Sequence, residues 1–213
     1  MRAALRFTLA AALYGFTLGL PHDWLYASRN LVKLPLLMAS TGLVCALAYP
    51  IVAGFCGLRL GWMGVQRLAL GLFHDLAWLL ASLASVNLLF ALAAHRAGDA
   101  SLGDYDLFLG LNIGFVALSG TGALLRQARR VLKESACTPA RARWVVVGWL
   151  AVSLLVGGQM AFLLRPMFGL PTTRGGRPPW FLGAQADLRG ATNFYEMVWQ
   201  AMRAPELPLR SDE

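Results

Sequence analysis

Few residues in this chain are equipped for chemistry, and the clearest pair is His74-Asp75. An imidazole beside a carboxylate can relay a proton, and both side chains can ligate a metal. Neighbours on a helix point about 100° apart, so the two do not face one substrate from a regular helix. A proton path or ion site inside a membrane bundle also needs acidic groups at mid-membrane. The apolar runs offer only Asn87, Asn112, Gln159 and scattered serine and threonine. His22, His95, Asp99, Asp104 and Asp106 would share one face, yet their spacing matches no metal-ligand pattern. Cys45, Cys56 and Cys137 form neither a CxxC motif nor an even set, so they read as small apolar fillers or free thiols. No P-loop, dinucleotide glycine motif, haem pattern or carboxylate dyad is present. The expectation is a protein without enzymatic activity, cofactor or bound metal.

The elements that position these residues are set by apolarity. Of 213 residues, 57% are hydrophobic and 14% charged, where a soluble domain averages about a quarter charged. The apolar residues gather in runs near the ~20 residues that cross a bilayer core. The fold class expected is all-α: a polytopic integral membrane protein of about five transmembrane helices plus a short amphipathic C-terminal helix. The runs are 5–20, stopped at Pro21-His22-Asp23; 34–55, entered through Lys33 and left at Arg59; 76–94; 107–125; and 144–164. The apolar stretch 68–94 is too long for one untilted span. An ionised Asp75 at the bilayer centre would cost about 3 kcal/mol or more, so 68–75 is expected to be an interfacial turn. The N-terminal run has the arginines and apolar core of a signal peptide, but no small-x-small cleavage site closely follows it. It reads as a retained first span. Residues 1–166 then form the membrane domain, and 167–213 a Pro/Gly-rich tail. In that tail Phe194, Val198 and Met202 recur at i, i+4 and i+8 beside Tyr195 and Trp199. This gives 191–203 an apolar face suited to lying in the interface or covering the span ends.

The net charge of +8 fits a membrane before it fits a nucleic acid, and no nucleic-acid partner is expected. On alternate sides of five spans, ten basic residues fall on one face: Arg2, Arg6, Arg59, Arg67, Arg126, Arg129, Arg130, Lys133, Arg141 and Arg143. Three fall on the other, Arg29, Lys33 and Arg96. The positive-inside rule places the N-terminus in the cytoplasm and the tail on the opposite face. The basic stretch 126–143 reads as a cytoplasmic loop, a topogenic stop beside anionic lipid headgroups, with each charge favourable by about 1 kcal/mol. It also offers a docking surface for an acidic partner.

Small-residue spacing points to packing. Gly15 with Gly19, and Gly110 with Gly114, allow helices to approach closely. Packing within the chain is the first reading and association with other subunits or a second copy the alternative. In GGQMAFLLRPMFG, Gly157-Gly158 admits a neighbour and Gln159 can hydrogen-bond across the contact. Arg165 follows about 9 Å further along the axis, able to snorkel to the outer interface, and Pro166 ends the helix. Gln159 is expected to face protein, and Arg165 to pair with an acid or carbonyls of the tail, Glu196 foremost.

Ser119, in Ala117-Leu118-Ser119-Gly120-Thr121-Gly122, resembles the serine motif of rhomboid intramembrane proteases. Ala117 stands where that motif has glycine, and all three histidines precede the serine, so no base activates it. Tyr14-Gly15-Phe16-Thr17-Leu18-Gly19, Lys33-Leu34-Pro35-Leu36-Leu37, Gly158-Gln159-Met160 with Leu164-Arg165-Pro166, and Asn193-Phe194-Tyr195-Glu196 carry another likeness. Together they resemble a group of poorly characterised bacterial multispan inner-membrane proteins. The five-span plan is also similar to the Yip (Rab-interacting) membrane proteins. The first resemblance implies no catalytic residue, and the second implies organising membrane or recruiting partners. The expected function is that of a scaffold or accessory subunit of a membrane complex. The alternative is a small transporter or channel component, with a polar path through Asn87, Asn112, Gln159 and Arg165.

Overall fold

The computed structural model describes residues 2–21, 23–58, 60–96, 102–135, 138–165, 180, 193–196 and 199; for 93–96, 102–107, 109, 134 and 135 only the backbone is described. Five long helices carry most of these residues: α1 (Arg2–Gly19), α2 (Trp24–Phe55), α3 (Trp62–Arg96), α4 (Leu102–Ser135) and α5 (Pro139–Leu163). No strand occurs among the described residues. Three helical stretches are long and apolar enough to cross a membrane: Trp24–Phe55, Trp62–Leu92 and Pro139–Leu163. Their outward faces are apolar as well, with Leu43, Leu47, Ile51, Leu89, Leu154 and Leu155 all exposed. Such a surface suits hydrocarbon, because inside a bilayer only the backbone, already paired within the helix, needs polar partners. The chain is an all-helical protein with the marks of an integral membrane protein.

Helix α1 packs antiparallel on α2, with Gly15 against Asn30 and Leu34 and Gly19 against Tyr26 and Ala27. It also lies alongside α3, where Ala10, Ala11, Tyr14 and Leu18 share a core with Ala77, Leu80 and Ala84. A second core joins α2, α3, α4 and α5 around Tyr49, Leu68, Phe73, Val131 and Trp149. The Tyr49 and Trp149 rings stack at 4.7 Å, and Trp149 Nε1 donates to Tyr49 O at 3.2 Å. Ser153 Oγ donates to Trp149 O, so its single proton is used and Tyr49 OH is the donor in the Tyr49–Ser153 bond.

Local chemistry explains several boundaries. Asp23, in extended backbone, precedes α2, and its carbonyl accepts the N–H groups of Tyr26 and Ala27. Helix α2 ends in a Schellman turn: Leu58 N–H reaches Ala53 O and Gly57 N–H reaches Gly54 O. Gly57 takes φ +68°, the left-handed conformation that glycine adopts without a Cβ penalty. Thr138 precedes α5 and Pro139 opens it, a position where the missing N–H costs nothing.

Three sequence expectations are corrected. Helix α2 starts at Trp24 rather than residue 34, so Arg29 and Lys33 are helical rather than in an outer loop, and Lys33 is buried at 2% exposure. The glycine face of α1 allows the first turns of α2 to pack tightly, and that packing carries the helix through Pro35. Residues 68–75 are not an interfacial turn; Leu68, Ala69, Leu72 and Phe73 are core residues of a continuous α3. The basic stretch 126–143 is not a loop either. Arg126, Arg129, Arg130 and Lys133 lie on the last turns of α4, and Arg141 and Arg143 on the first turns of α5. All six are exposed.

Candidate functional site

Buried polar side chains join α1 to α3 and to α4. Tyr14 OH donates to Asn112 Oδ1 at 2.8 Å, and Asn112 Nδ2 donates to Phe108 O at 2.8 Å. Three residues further along α1, Thr17 Oγ1 accepts from Asn87 Nδ2 at 2.8 Å and donates to Tyr14 O. Tyr14, Thr17, Asn87 and Asn112 are all buried, as are Asn30 and Lys33 on α2. Asn87 Oδ1 and Thr41 Oγ1 carry no hydrogen bond among the described residues. The layer joins amides and hydroxyls, with no nucleophile–base pair among the described groups.

A second polar contact lies on α3 and α4. Asp75 Oδ2 accepts from Gln127 Nε2 at 3.1 Å and faces Arg130 Nη2 at 3.8 Å. Gln127 is fully buried, so its amide needs that carboxylate more than the half-exposed Arg130 does. Gly71 leaves the room: a Cβ there would press on both the Gln127 and Arg130 side chains. His74 points elsewhere, its Nε2 accepting from Trp78 Nε1 at 3.1 Å. The adjacent pair is therefore divided between two contacts, as the 100° helical offset requires.

The two glycine pairs have opposite surroundings. A Cβ at Gly15 or Gly19 would run into backbone atoms of α2. Gly110 and Gly114 have no described atom within 4 Å of an added Cβ, so packing within the chain, the first reading for that pair, is not found among the described residues. Gly110, Gly114, Ala117 and Thr121 fall on one face of α4, beside exposed Ile113, Leu118 and Leu125. Phe108, Asn112, Ser119, Ala123 and Gln127 fill the opposite, buried face.

The tail meets α5. Gln159 Oε1 accepts the backbone N–H of Phe194 at 3.3 Å, and the Phe194 ring occupies the space a Cβ at Gly158 would need. Tyr195 OH reaches the carbonyls of Leu154 and Leu155. Asn193 Oδ1 accepts Glu196 N–H at 2.8 Å, closing a side-chain cap on the 194–196 turn. Arg165 sets its guanidinium over the Phe162 ring at 3.4 Å, and burial lowers its pKa from the ordinary arginine value. Near the start of α2, the Arg29 guanidinium lies 4.9 Å from the Trp180 ring centroid. Val198 and Met202, which complete the expected apolar face of the tail helix, lie outside the described residues, as do His22, Asp99 and Cys137 and the side chains of His95, Asp104 and Asp106. Among the described residues no three His, Cys, Asp or Glu side chains come together.

Sequence reasoning assigned no hydrogen-bonding role to Tyr14, Thr17, Asn30 or Gln127. For Tyr14 and Thr17 a signal exists, since they fall on the same α1 face as Gly15 and Leu18. Gln127 had none, being one polar residue in a basic stretch. The fold and its polar layer are those of an all-helical protein with three helices apolar enough to cross a membrane, stitched internally by amide–hydroxyl bonds. Comparisons with protein families, with curated proteins and with solved structures find no match.

Proposed function

We propose that the chain is a non-enzymatic, five-span integral membrane protein that serves as a scaffold or accessory subunit of a membrane complex. In this reading α1 and α4 cross the bilayer beside the three strongly apolar helices. The exposed arginines that end α4 and open α5 lie in the cytoplasm of a bacterial inner membrane, against anionic headgroups. The N-terminus lies on that side and the tail on the other.

The observation that carries the proposal is the α4 face formed by Gly110, Gly114, Ala117 and Thr121. It is small-sided, apolar-flanked and without a described neighbour. Small residues let backbones approach within a bilayer, and association with another subunit or a second copy would use that surface. The transport reading draws less support. Asn112 and Asn87 are bonded to Tyr14 and Thr17, and Gln159 to Phe194, so these amides tie helices together rather than line a path.

Mild-detergent extraction followed by mass determination tests the proposal. The wild type should run as a stable complex, and Gly110→Ile with Gly114→Ile should release the monomer without loss of helix content. A wild-type monomer, together with proteoliposome flux abolished by Gln159→Leu, would favour transport.

A further inference from the structure

Gln159 has a backbone partner where a membrane helix should need none, and the depth of that contact has a consequence. Helix α5 carries exposed Arg141 and Arg143 near its start. Its apolar part, 144–163, is about 30 Å long, the thickness of a bilayer core. Leu154 and Leu155 lie at its middle, and Tyr195 OH donates to their carbonyls. Gly158 and Gln159, which hold Phe194, lie four to five residues before the helix end, about 6–7 Å below it. Leu154 and Leu155 are 64% and 60% exposed, Tyr195 is exposed on that same flank, and Trp199, four residues further on, is exposed as well. The tail contact is thus on the flank of α5 that faces hydrocarbon if α5 spans.

Non-helical backbone at that depth is tolerated only when its N–H and C=O groups are met by protein. The first N–H groups of a short helical turn are the usual orphans. Two of them are met by side chains: Phe194 N–H by Gln159 and Glu196 N–H by Asn193. Gln159 supplies from within the span an acceptor that water would otherwise provide.

We infer that residues 193–196 re-enter the bilayer along the outer half of α5, with Tyr195 and Trp199 against lipid acyl chains and Gln159 as the intramembrane acceptor for the entering backbone. The inference rests on α5 spanning a bilayer, and not on the scaffold role. It differs from a tail lying at the surface or capping the span ends.

The test is spin-label depth measurement in phosphatidylcholine vesicles, with Cys45, Cys56 and Cys137 replaced by alanine. Labels are placed singly at Trp199→Cys, at Leu150→Cys as a reference inside the α5 span, and at Arg141→Cys as an aqueous reference. Labels at 199 and 150 should both collide preferentially with oxygen, and the label at 141 with a water-soluble nickel chelate. A 199 label that prefers nickel while 150 prefers oxygen overturns re-entry and leaves the span intact. A 150 label that prefers nickel overturns the spanning reading and the inference with it. Adding Gln159→Leu should remove most of the oxygen preference at 199 and leave 150 unchanged. If 199 is unaffected, Gln159 is not the acceptor that admits the segment.

Discussion

The phenolic hydroxyl of Tyr14 donates to the amide oxygen of Asn112 at 2.8 Å, both side chains buried, and ties the first helix to the fourth across 98 positions of sequence. With Asn87 held by Thr17 three residues along the same helix, α1 bonds through buried side chains to both α3 and α4.

Tyr14→Phe removes the donor and leaves the Asn112 oxygen without its proton. The expected loss is about 1 kcal/mol, since interhelical bonds in membranes are modest and a buried orphan adds to the cost. Thermal unfolding in a fixed detergent measures it. The double variant with Asn112→Leu should lose less than the sum of the two single changes.

Gly15→Val should be more damaging than Tyr14→Phe. The new side chain meets the carbonyl of Asn30 and the Cβ of Leu34, and backbone cannot move aside as a flexible side chain can. A cost of about 1–3 kcal/mol or more is expected, with α1 becoming accessible to protease. Gly54→Ala, where no described atom lies within 4 Å, is the control and should be neutral or slightly stabilising.

The Asp75 contact should respond asymmetrically. Arg130 is half-exposed at 3.8 Å, so Arg130→Ala should change stability by less than about 1 kcal/mol. Asp75→Leu strips the acceptor from a fully buried Gln127 and should cost about 1–3 kcal/mol. Equal effects from the two substitutions, measured by unfolding in the same detergent, would show that the ion pair rather than the amide matters.

Trp149→Ala empties the centre of the larger core, where the indole is fully buried against Tyr49. A loss of about 3–5 kcal/mol is expected. Trp149→Phe keeps a ring but loses the donor to Tyr49 O, and should lie between Trp149→Ala and the wild type.

The contrast between Gly15 and Gly110 marks the limit of reading a sequence. Both belong to a GxxxG spacing on an apolar helix, and nothing local distinguishes them. One is pressed against the backbone of α2 and the other has no described neighbour, because helix pairing depends on which faces remain after every other helix is placed. Lys33 shows the same limit. Its charge at the entry of an apolar run placed it in the outer loop, yet tight packing on α1 draws ten further residues into α2. Gln159 was legible as a residue that must face protein, because an unmet amide in hydrocarbon is costly. Its partner was not, since Phe194 lies 35 positions away.

By itself the sequence determined the all-helical class, the apolar runs and the gathering of arginine beyond them. These follow from hydrophobicity and charge, which act residue by residue. Only the tertiary structure decided which polar groups meet, how far each helix extends beyond its apolar run, and where Phe194 and Tyr195 meet α5. Those depend on helix faces brought together from distant parts of the chain, where contact geometry outweighs local preference.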